Sequence, residues 1–180
     1  MLKVFDNVIP QNRLEELYDE LICTQMWSIN RQSSSEYKYF HNFPGHMIFE
    51  RKEGITSKIL YEYFSGLIEH LRHRHKEEYG QLLPPKLNRI HLGAKTLSSH
   101  TSLHTDTDQK GVVIVGFLTP KWKVEWGGDL RVEDKLVKYK PGRFSIFDTD
   151  KRHDGYAPEG GCPLWRITIN IVLLHTLDYE

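Results

Sequence analysis

His104, Asp106 and His153 have the residue types and spacing of a metal site in this 180-residue chain. His104 and Asp106 are two positions apart, and on an extended chain such side chains point to the same side. Both can therefore face one metal ion, and His153 at the end of another predicted strand adds a third ligand. Two imidazoles and one carboxylate on one face of an octahedron suit Fe(II) and leave three positions open. Two of these would accept a chelating 2-oxo acid, and the third would accept dioxygen.

The last predicted strand carries a charged residue that fits such an acid. Its residues alternate between two faces, with Ile167, Ile169 and Ile171 on one and Arg166, Thr168 and Asn170 on the other. The isoleucine face predicts packing under the N-terminal helices, and the polar face points into the interior of a barrel. A guanidinium inside a barrel is costly unless an anion pairs with it. A dicarboxylate supplies that anion, since arginine suits bidentate carboxylate recognition, and the Thr168 hydroxyl can add a hydrogen bond.

The elements that must position these residues fall into two groups. Amphipathic periodicity predicts helices over residues 12–24 and 56–79. Six short β-type runs follow between turn signals: residues 87–92, 111–118, 129–132, 136–139, 144–147 and 164–174. Helices first and many short strands afterwards favour a β-sandwich or barrel with helices packed outside. We expect one domain over residues 1–180, with helical support over about 1–86 and a barrel over about 87–175.

The composition narrows the class of protein. Lys+Arg and Asp+Glu both number 24, so the formal net charge is zero, which weighs against a nucleic-acid binder. No apolar stretch approaches the length of a membrane span, and no secretory signal is visible at the N-terminus. Cys23 and Cys162 form no C-x-x-C pair and suggest reduced thiols in a cytoplasmic protein.

Taken together, these motifs resemble a known family. His104-x-Asp106, then His153, then Arg166-x-Thr168 looks like the Fe(II)/2-oxoglutarate-dependent dioxygenases, in particular their prolyl-4-hydroxylase-like branch. Two further stretches match that branch: Trp-Gly-Gly-Asp-Leu at 126–130 and Tyr-Lys-Pro-Gly-Arg-Phe at 139–144. The resemblance covers roughly residues 87–174.

The resemblance implies a mainly β fold, a double-stranded β-helix or jelly roll, with N-terminal helices on its outer face. It implies Fe(II) held by His104, Asp106 and His153, and 2-oxoglutarate held by Arg166 and Thr168. With dioxygen as second cosubstrate, such an enzyme hydroxylates an unactivated C–H bond of a peptidyl or small-molecule substrate and releases succinate and CO2. Neither a nucleic acid nor a membrane is expected as a partner.

The sequence also departs from the family pattern. Prolyl hydroxylases commonly have a lysine where Arg166 stands, and a tyrosine on the first barrel strand often helps to bind 2-oxoglutarate. Here that strand reads Asn-Arg-Ile-His at 88–91, and His91 is the candidate to take the place of the tyrosine. Residues 27–54 and 119–127 are candidates for a substrate lid. A non-enzymatic jelly-roll module of the cupin or lectin kind, which binds a metal or ligand, is the alternative.

Overall fold

The computed structural model describes residues 1–24, 26–31, 43–97, 99 and 101–176. Two α-helices are described, α1 (Gln11–Cys23) and α2 (Lys58–Tyr79), together with one turn of 3-10 helix at Val124–Trp126. The larger described sheet contains eight strands: β1 (Leu2–Phe5), β2 (Ser28–Arg31), β3 (Phe43–Glu50), β4 (Gly54–Ile55), β5 (Lys86–Lys95), β6 (Gly111–Phe117), β9 (Phe144–Asp148) and β11 (Arg166–Leu174). The smaller sheet contains β7 (Leu130–Val132), β8 (Lys135–Val137) and β10 (His153–Gly155). All pairings are antiparallel, as in a jelly roll.

The larger sheet runs in the order β1-β9-β6-β11-β5-β3-β2, with β4 paired to β3. The last strand, β11, is central and pairs with β5 on one side and β6 on the other. Its isoleucines are fully buried, whereas Arg166, Thr168 and Asn170 line a cavity. The predicted two-faced alternation of this strand is therefore confirmed.

The two helices share one hydrophobic cluster with this sheet. Every third or fourth residue of α1 is buried, including Leu14 and Leu21. The corresponding stripe of α2 is also buried and includes Phe64 and Leu71. The same cluster contains the three isoleucines of β11. The second helix ends at Gly80, whose left-handed backbone (φ 68°) lets its N–H donate to the Lys76 carbonyl at 2.8 Å.

A second hydrophobic cluster joins the two sheets. Val113, Val115 and Phe117 of β6 pack in it with Leu130 and Val132 of β7. The cavity that Arg166 lines lies between the sheets, because β5, β6, β7, β10 and β11 all contribute to its wall. Antiparallel sheets that face each other in this way can exclude water from a site between them.

Part of the region expected to be helical support consists of strands. The strand β3 crosses the predicted lid and pairs with β5, with Gly45 opposite Gly93 and Met47 opposite His91. Pro44 and Gly45 at its start are residues that strands usually lack, so the local pattern indicates a short strand only around residues 47–49. The pairing depends on β5, more than forty residues away in the chain. Residues 32–42 of the predicted lid lie outside the described residues.

A second difference concerns the approach to His153. The strand predicted over residues 144–147 is β9, and it stops at Asp148 without reaching this histidine. A turn follows, in which the Lys151 N–H donates to the Asp148 carbonyl at 3.0 Å. His153 then begins β10 in the smaller sheet. The chain thus changes sheets between the two strands.

Neither of the described helices is long and apolar enough to cross a membrane.

Candidate active site

His104, Asp106 and His153 meet in space, since one ligand atom from each lies within 4.8 Å of the others. Backbone hydrogen bonds bring the two histidines together. The His153 N–H donates to the His104 carbonyl at 2.8 Å, and the His104 N–H donates to the His153 carbonyl at 3.1 Å. This isolated bridge ties the loop that carries Asp106 to the first residue of β10.

The hydrogen bonds of the two imidazoles leave the same ring nitrogen available to a metal. Nδ1 of His104 lies 2.8 Å from the Ser102 carbonyl, and Nδ1 of His153 lies 3.2 Å from the Lys151 carbonyl. A carbonyl only accepts, so each Nδ1 carries the proton and each Nε2 keeps its lone pair. Burial, together with the neighbouring His153, lowers the pKa of His104 and so favours the neutral form that binds metals.

Two residues that the sequence did not single out as site residues hold the carboxylate of Asp106. Asn170 Nδ2 donates to Oδ2 at 2.9 Å, and Arg89 Nη2 donates to Oδ1. Nε2 of His153 lies 3.3 Å from Oδ2. Burial alone would raise the pKa of Asp106, but the neighbouring His153 and the charge of Arg89 hold it well below its usual range. The site thus presents an ionised carboxylate.

Arg166 lies in the same cavity with its guanidinium buried. The residue is 2% exposed, and Nε donates to the Gly128 carbonyl at 2.5 Å. The guanidinium carbon lies 5.4 Å from the ring centroid of Phe117 and 5.7 Å from that of Tyr139. Among the described residues, Nη2 has no hydrogen-bond partner. Burial lowers the pKa of Arg166 to about 10, so the group stays charged at neutral pH. An anion is the partner that this arrangement favours.

Two glycines leave room for that guanidinium. A Cβ at Gly155 would lie 3.2 Å from Nη2 of Arg166, and a Cβ at Gly128 would lie 3.1 Å from its Cδ. At Gly128 the same Cβ would also lie 2.7 Å from Trp122, and the backbone is left-handed (φ 74°). The Trp-Gly-Gly-Asp-Leu stretch therefore positions the arginine, in addition to forming a turn.

The cavity has a volume of about 260 Å³ and brings together every residue that the sequence singled out for the metal or the cosubstrate. Thr168 and His91 both line it. The Thr168 hydroxyl lies 3.5 Å from the Gly93 carbonyl, to which it donates. Sequence reasoning missed Lys95, which is buried and lines the same cavity. Alternation along β5 was the available signal, because residues 89, 91, 93 and 95 all face the cavity.

The second predicted lid, residues 119–127, is described throughout. Trp122 stacks on Tyr139 with ring centroids 4.1 Å apart, and its Nε1 donates to the Gly127 carbonyl at 2.9 Å. This side chain packs against the second hydrophobic cluster. Its contacts anchor the segment next to Arg166, and a lid role for the segment stays a prediction.

Comparisons with known proteins identify the fold. No family model matches the sequence, and no curated protein does. A prolyl hydroxylase from Trichoplax adhaerens, solved in complex with a hypoxia inducible factor oxygen degradation domain peptide fragment, is 17% identical with a TM-score of 0.68, covering 97% of this chain and 83% of that one. A Pseudomonas putida prolyl-4-hydroxylase is 13% identical with a TM-score of 0.68, covering 96% of this chain and 92% of that one.

A third similar structure is an oxidoreductase of the 2OG-Fe(II) oxygenase family from Burkholderia pseudomallei. It is 11% identical with a TM-score of 0.72, covering 95% of this chain and 84% of that one. At such identities the likeness concerns the fold. The chain has the mainly β jelly-roll fold of the 2-oxoglutarate oxygenases, of the type seen in prolyl hydroxylases, which confirms the fold expected from the sequence motifs.

Proposed function

We propose that the protein is an Fe(II)- and 2-oxoglutarate-dependent dioxygenase that hydroxylates an unactivated C–H bond. The observation that carries the proposal is the joint presence, in one cavity between two sheets, of the two-histidine, one-carboxylate set and a buried arginine. A metal site alone fits many proteins. A metal site beside a buried cation with an unpartnered donor fits a chelating acid that has a second, distal carboxylate.

The residues fit Fe(II) by their donor chemistry. His104 and His153 each present an Nε2 whose ring is oriented through Nδ1, and Asp106 presents an ionised carboxylate held by Asn170 and Arg89. Such outer hydrogen bonds orient ligands and tune the metal. When bound, Fe(II) supplies the activation of dioxygen that couples oxidation of the substrate to conversion of 2-oxoglutarate into succinate and CO2.

The chain orients the cosubstrate and keeps water out. Arg166 binds the distal carboxylate through Nη2, which has no hydrogen-bond partner among the described residues, and Thr168 and His91 provide further contacts from the cavity wall. Because the guanidinium is enclosed by Phe117 and Tyr139, its attraction for a carboxylate is screened little by solvent.

The substrate class follows from the comparisons only in outline. The Trichoplax adhaerens prolyl hydroxylase was solved with a peptide fragment, which supports a peptidyl substrate, and a small molecule is the other class we propose. With its zero net charge the chain is not expected to act on nucleic acid. A cytoplasmic location remains a prediction from the cysteine content.

The test is formation of succinate from 2-oxoglutarate by the full chain with added Fe(II) and dioxygen. We expect wild-type protein to produce succinate, and His153→Ala to reduce the rate at least 100-fold because it removes a ligand. His73→Ala on the outer helix α2 is the matched control and should keep the wild-type rate.

A binding measurement separates the enzyme from the alternative. Under anaerobic conditions, 2-oxoglutarate added to the Fe(II)-loaded protein should produce the visible absorption of an Fe(II)–2-oxo acid chelate. A protein that binds the metal yet shows neither this absorption nor succinate formation would be a non-enzymatic jelly-roll module, and the proposed function would be wrong.

A further inference from the structure

Lys95 is a buried cation to which the proposed chemistry has so far given no role. It is the last residue of β5 and stands directly opposite Arg166, the first residue of β11, in the antiparallel register. The residue is 5% exposed and lines the cavity. Its Nζ donates to the Thr101 hydroxyl at 2.8 Å and to the Gly155 carbonyl. A lysine is seldom buried to this extent without a reason.

Both cations lie against the same backbone segment. Lys95 contacts the carbonyl of Gly155, and a Cβ at Gly155 would lie 3.2 Å from Nη2 of Arg166. Burial, followed by the positive charge of Arg166, lowers the pKa of Lys95 well below its usual value, whereas Asp154 opposes this change. The Asp154 carboxylate is itself bound by Arg131, with both N–O distances at 3.0 Å. An anion beside Arg166 would therefore reduce the repulsion between these two side chains.

The charges of the described cavity wall are divided between two ends. Arg89 lies with Asp106 at one end, six residues along β5 from Lys95. Lys95 and Arg166 lie together at the other end. Three Lys or Arg residues and one Asp line the cavity, and that Asp is paired with Arg89, so the part of the cavity at Lys95 and Arg166 has an excess of positive charge.

We propose that Lys95 is a second cation for the distal carboxylate of the 2-oxo acid, so that Lys95 and Arg166 hold that carboxylate between adjacent strands and select dicarboxylates. This inference rests on the proposed function. A charge-assisted hydrogen bond in a buried site corresponds to roughly a tenfold to hundredfold change in affinity. Lys95 is thus expected to govern which 2-oxo acid binds, and not the binding of the metal.

The experiment measures binding by isothermal titration calorimetry on the full chain loaded with Zn(II), which is redox-silent. The ligands are 2-oxoglutarate and 2-oxopentanoate, which share the chelating end and the five-carbon length but differ in the distal carboxylate. Lys95→Met removes the charge and the donor. Lys95→Gln removes the charge and keeps a donor for Gly155 and Thr101. Lys135→Met, at an exposed position of β8, is the control.

We expect both Lys95 variants to lose at least tenfold in affinity for 2-oxoglutarate and less than threefold for 2-oxopentanoate, with the control unchanged. Equal losses for the two ligands, or rescue by glutamine, would show that Lys95 only supports the local backbone. Unchanged affinity for 2-oxoglutarate in both variants would also overturn the proposal.

A further measurement leaves Lys95 unchanged, so it tests the proposal even if a Lys95 variant does not fold. Arg166→Met should retain a preference for 2-oxoglutarate over 2-oxopentanoate, because Lys95 remains. Loss of all preference in that variant would contradict a role for Lys95. If wild-type Zn(II) protein binds neither acid, the proposed function fails and this inference fails with it. Binding by wild type without any effect at Lys95 overturns this inference alone.

Discussion

Arg166→Met should weaken the binding of the cosubstrate without destabilising the fold. In the folded protein the guanidinium is 2% exposed, and burial lowers its pKa from 12.5 to about 10. A change of that size corresponds to a cost of about 3 kcal/mol for holding the charged form in the fold. Methionine has a similar length and no charge, so it removes this cost.

The substitution also removes a favourable interaction. The hydrogen bond from Nε to the Gly128 carbonyl is lost, which costs about 1–3 kcal/mol when a buried carbonyl is left without a donor. Methionine keeps apolar contact with Phe117 and Tyr139, which lie near the guanidinium. The difference leaves the free energy of unfolding unchanged or raised by up to about 2 kcal/mol, and the melting temperature raised by at most roughly 8 °C.

Binding of 2-oxoglutarate should fall steeply in the same variant. A bidentate pair consists of two charge-assisted hydrogen bonds of about 1.5–3 kcal/mol each, so the affinity should drop about 100-fold or more. Arg166→Lys keeps a charge but not the planar pair of donors, and we expect it to recover part of the affinity. Arg13→Met, at an exposed position of α1, is the control for general effects of losing an arginine.

Urea and thermal unfolding measure the first effect, and calorimetric titration of the Zn(II)-loaded protein with 2-oxoglutarate measures the second. The reasoning would be refuted by a variant that is destabilised by more than about 3 kcal/mol and binds 2-oxoglutarate normally. Such a result would make the guanidinium a structural group that stabilises the turn at Gly128, with no part in recognising the acid.

Two further substitutions test the surroundings of the site and of the fold. Asn170→Ala removes the 2.9 Å hydrogen bond to Asp106 and should weaken metal affinity about 10- to 100-fold. Competition titrations with a chelator measure this affinity. An unchanged affinity would show that Asn170 does not orient the carboxylate. A hydrogen bond from Arg143 and the charge of Lys140 lower the pKa of Asp6 from 3.8 to about 2, although burial opposes this change. Asp6 therefore stabilises the fold above about pH 4, and this stabilisation is lost as the pH falls towards 2. Asp6→Asn should therefore be less stable than wild type to urea at pH 6 and equally stable near pH 2, and a difference that persists at pH 2 would contradict this.

Local spacing was sufficient for the parts of the site that lie on one strand. His104 and Asp106, although two apart, lie in the loop between β5 and β6. On β11, Arg166, Thr168 and Asn170 are two apart. The period of an extended chain places such residues on one side whatever the surrounding fold. The alternation of β11 predicted both its buried isoleucines and its cavity face for the same reason, and the structure bears out both.

Contacts between distant segments could not be inferred in this way. Arg89 binds Asp106 from β5, and Lys95 stands opposite Arg166 through the register of β5 and β11. Neither pair has a fixed separation along the chain. The strand β3 was expected only around residues 47–49, because its pairing with β5, and not its own proline and glycine, determines its full extent.

The sequence by itself determined which residue types were available for chemistry and which side of each strand they occupy, because backbone periodicity acts over two or three residues. Only the tertiary structure decided what surrounds them. The bridge between His104 and His153 and the space that Gly128 and Gly155 leave for a guanidinium depend on sheet pairing. So does the position of Lys95 beside Arg166. Burial and neighbouring charges are properties of the packed molecule, and they set whether a cation in this cavity requires an anion.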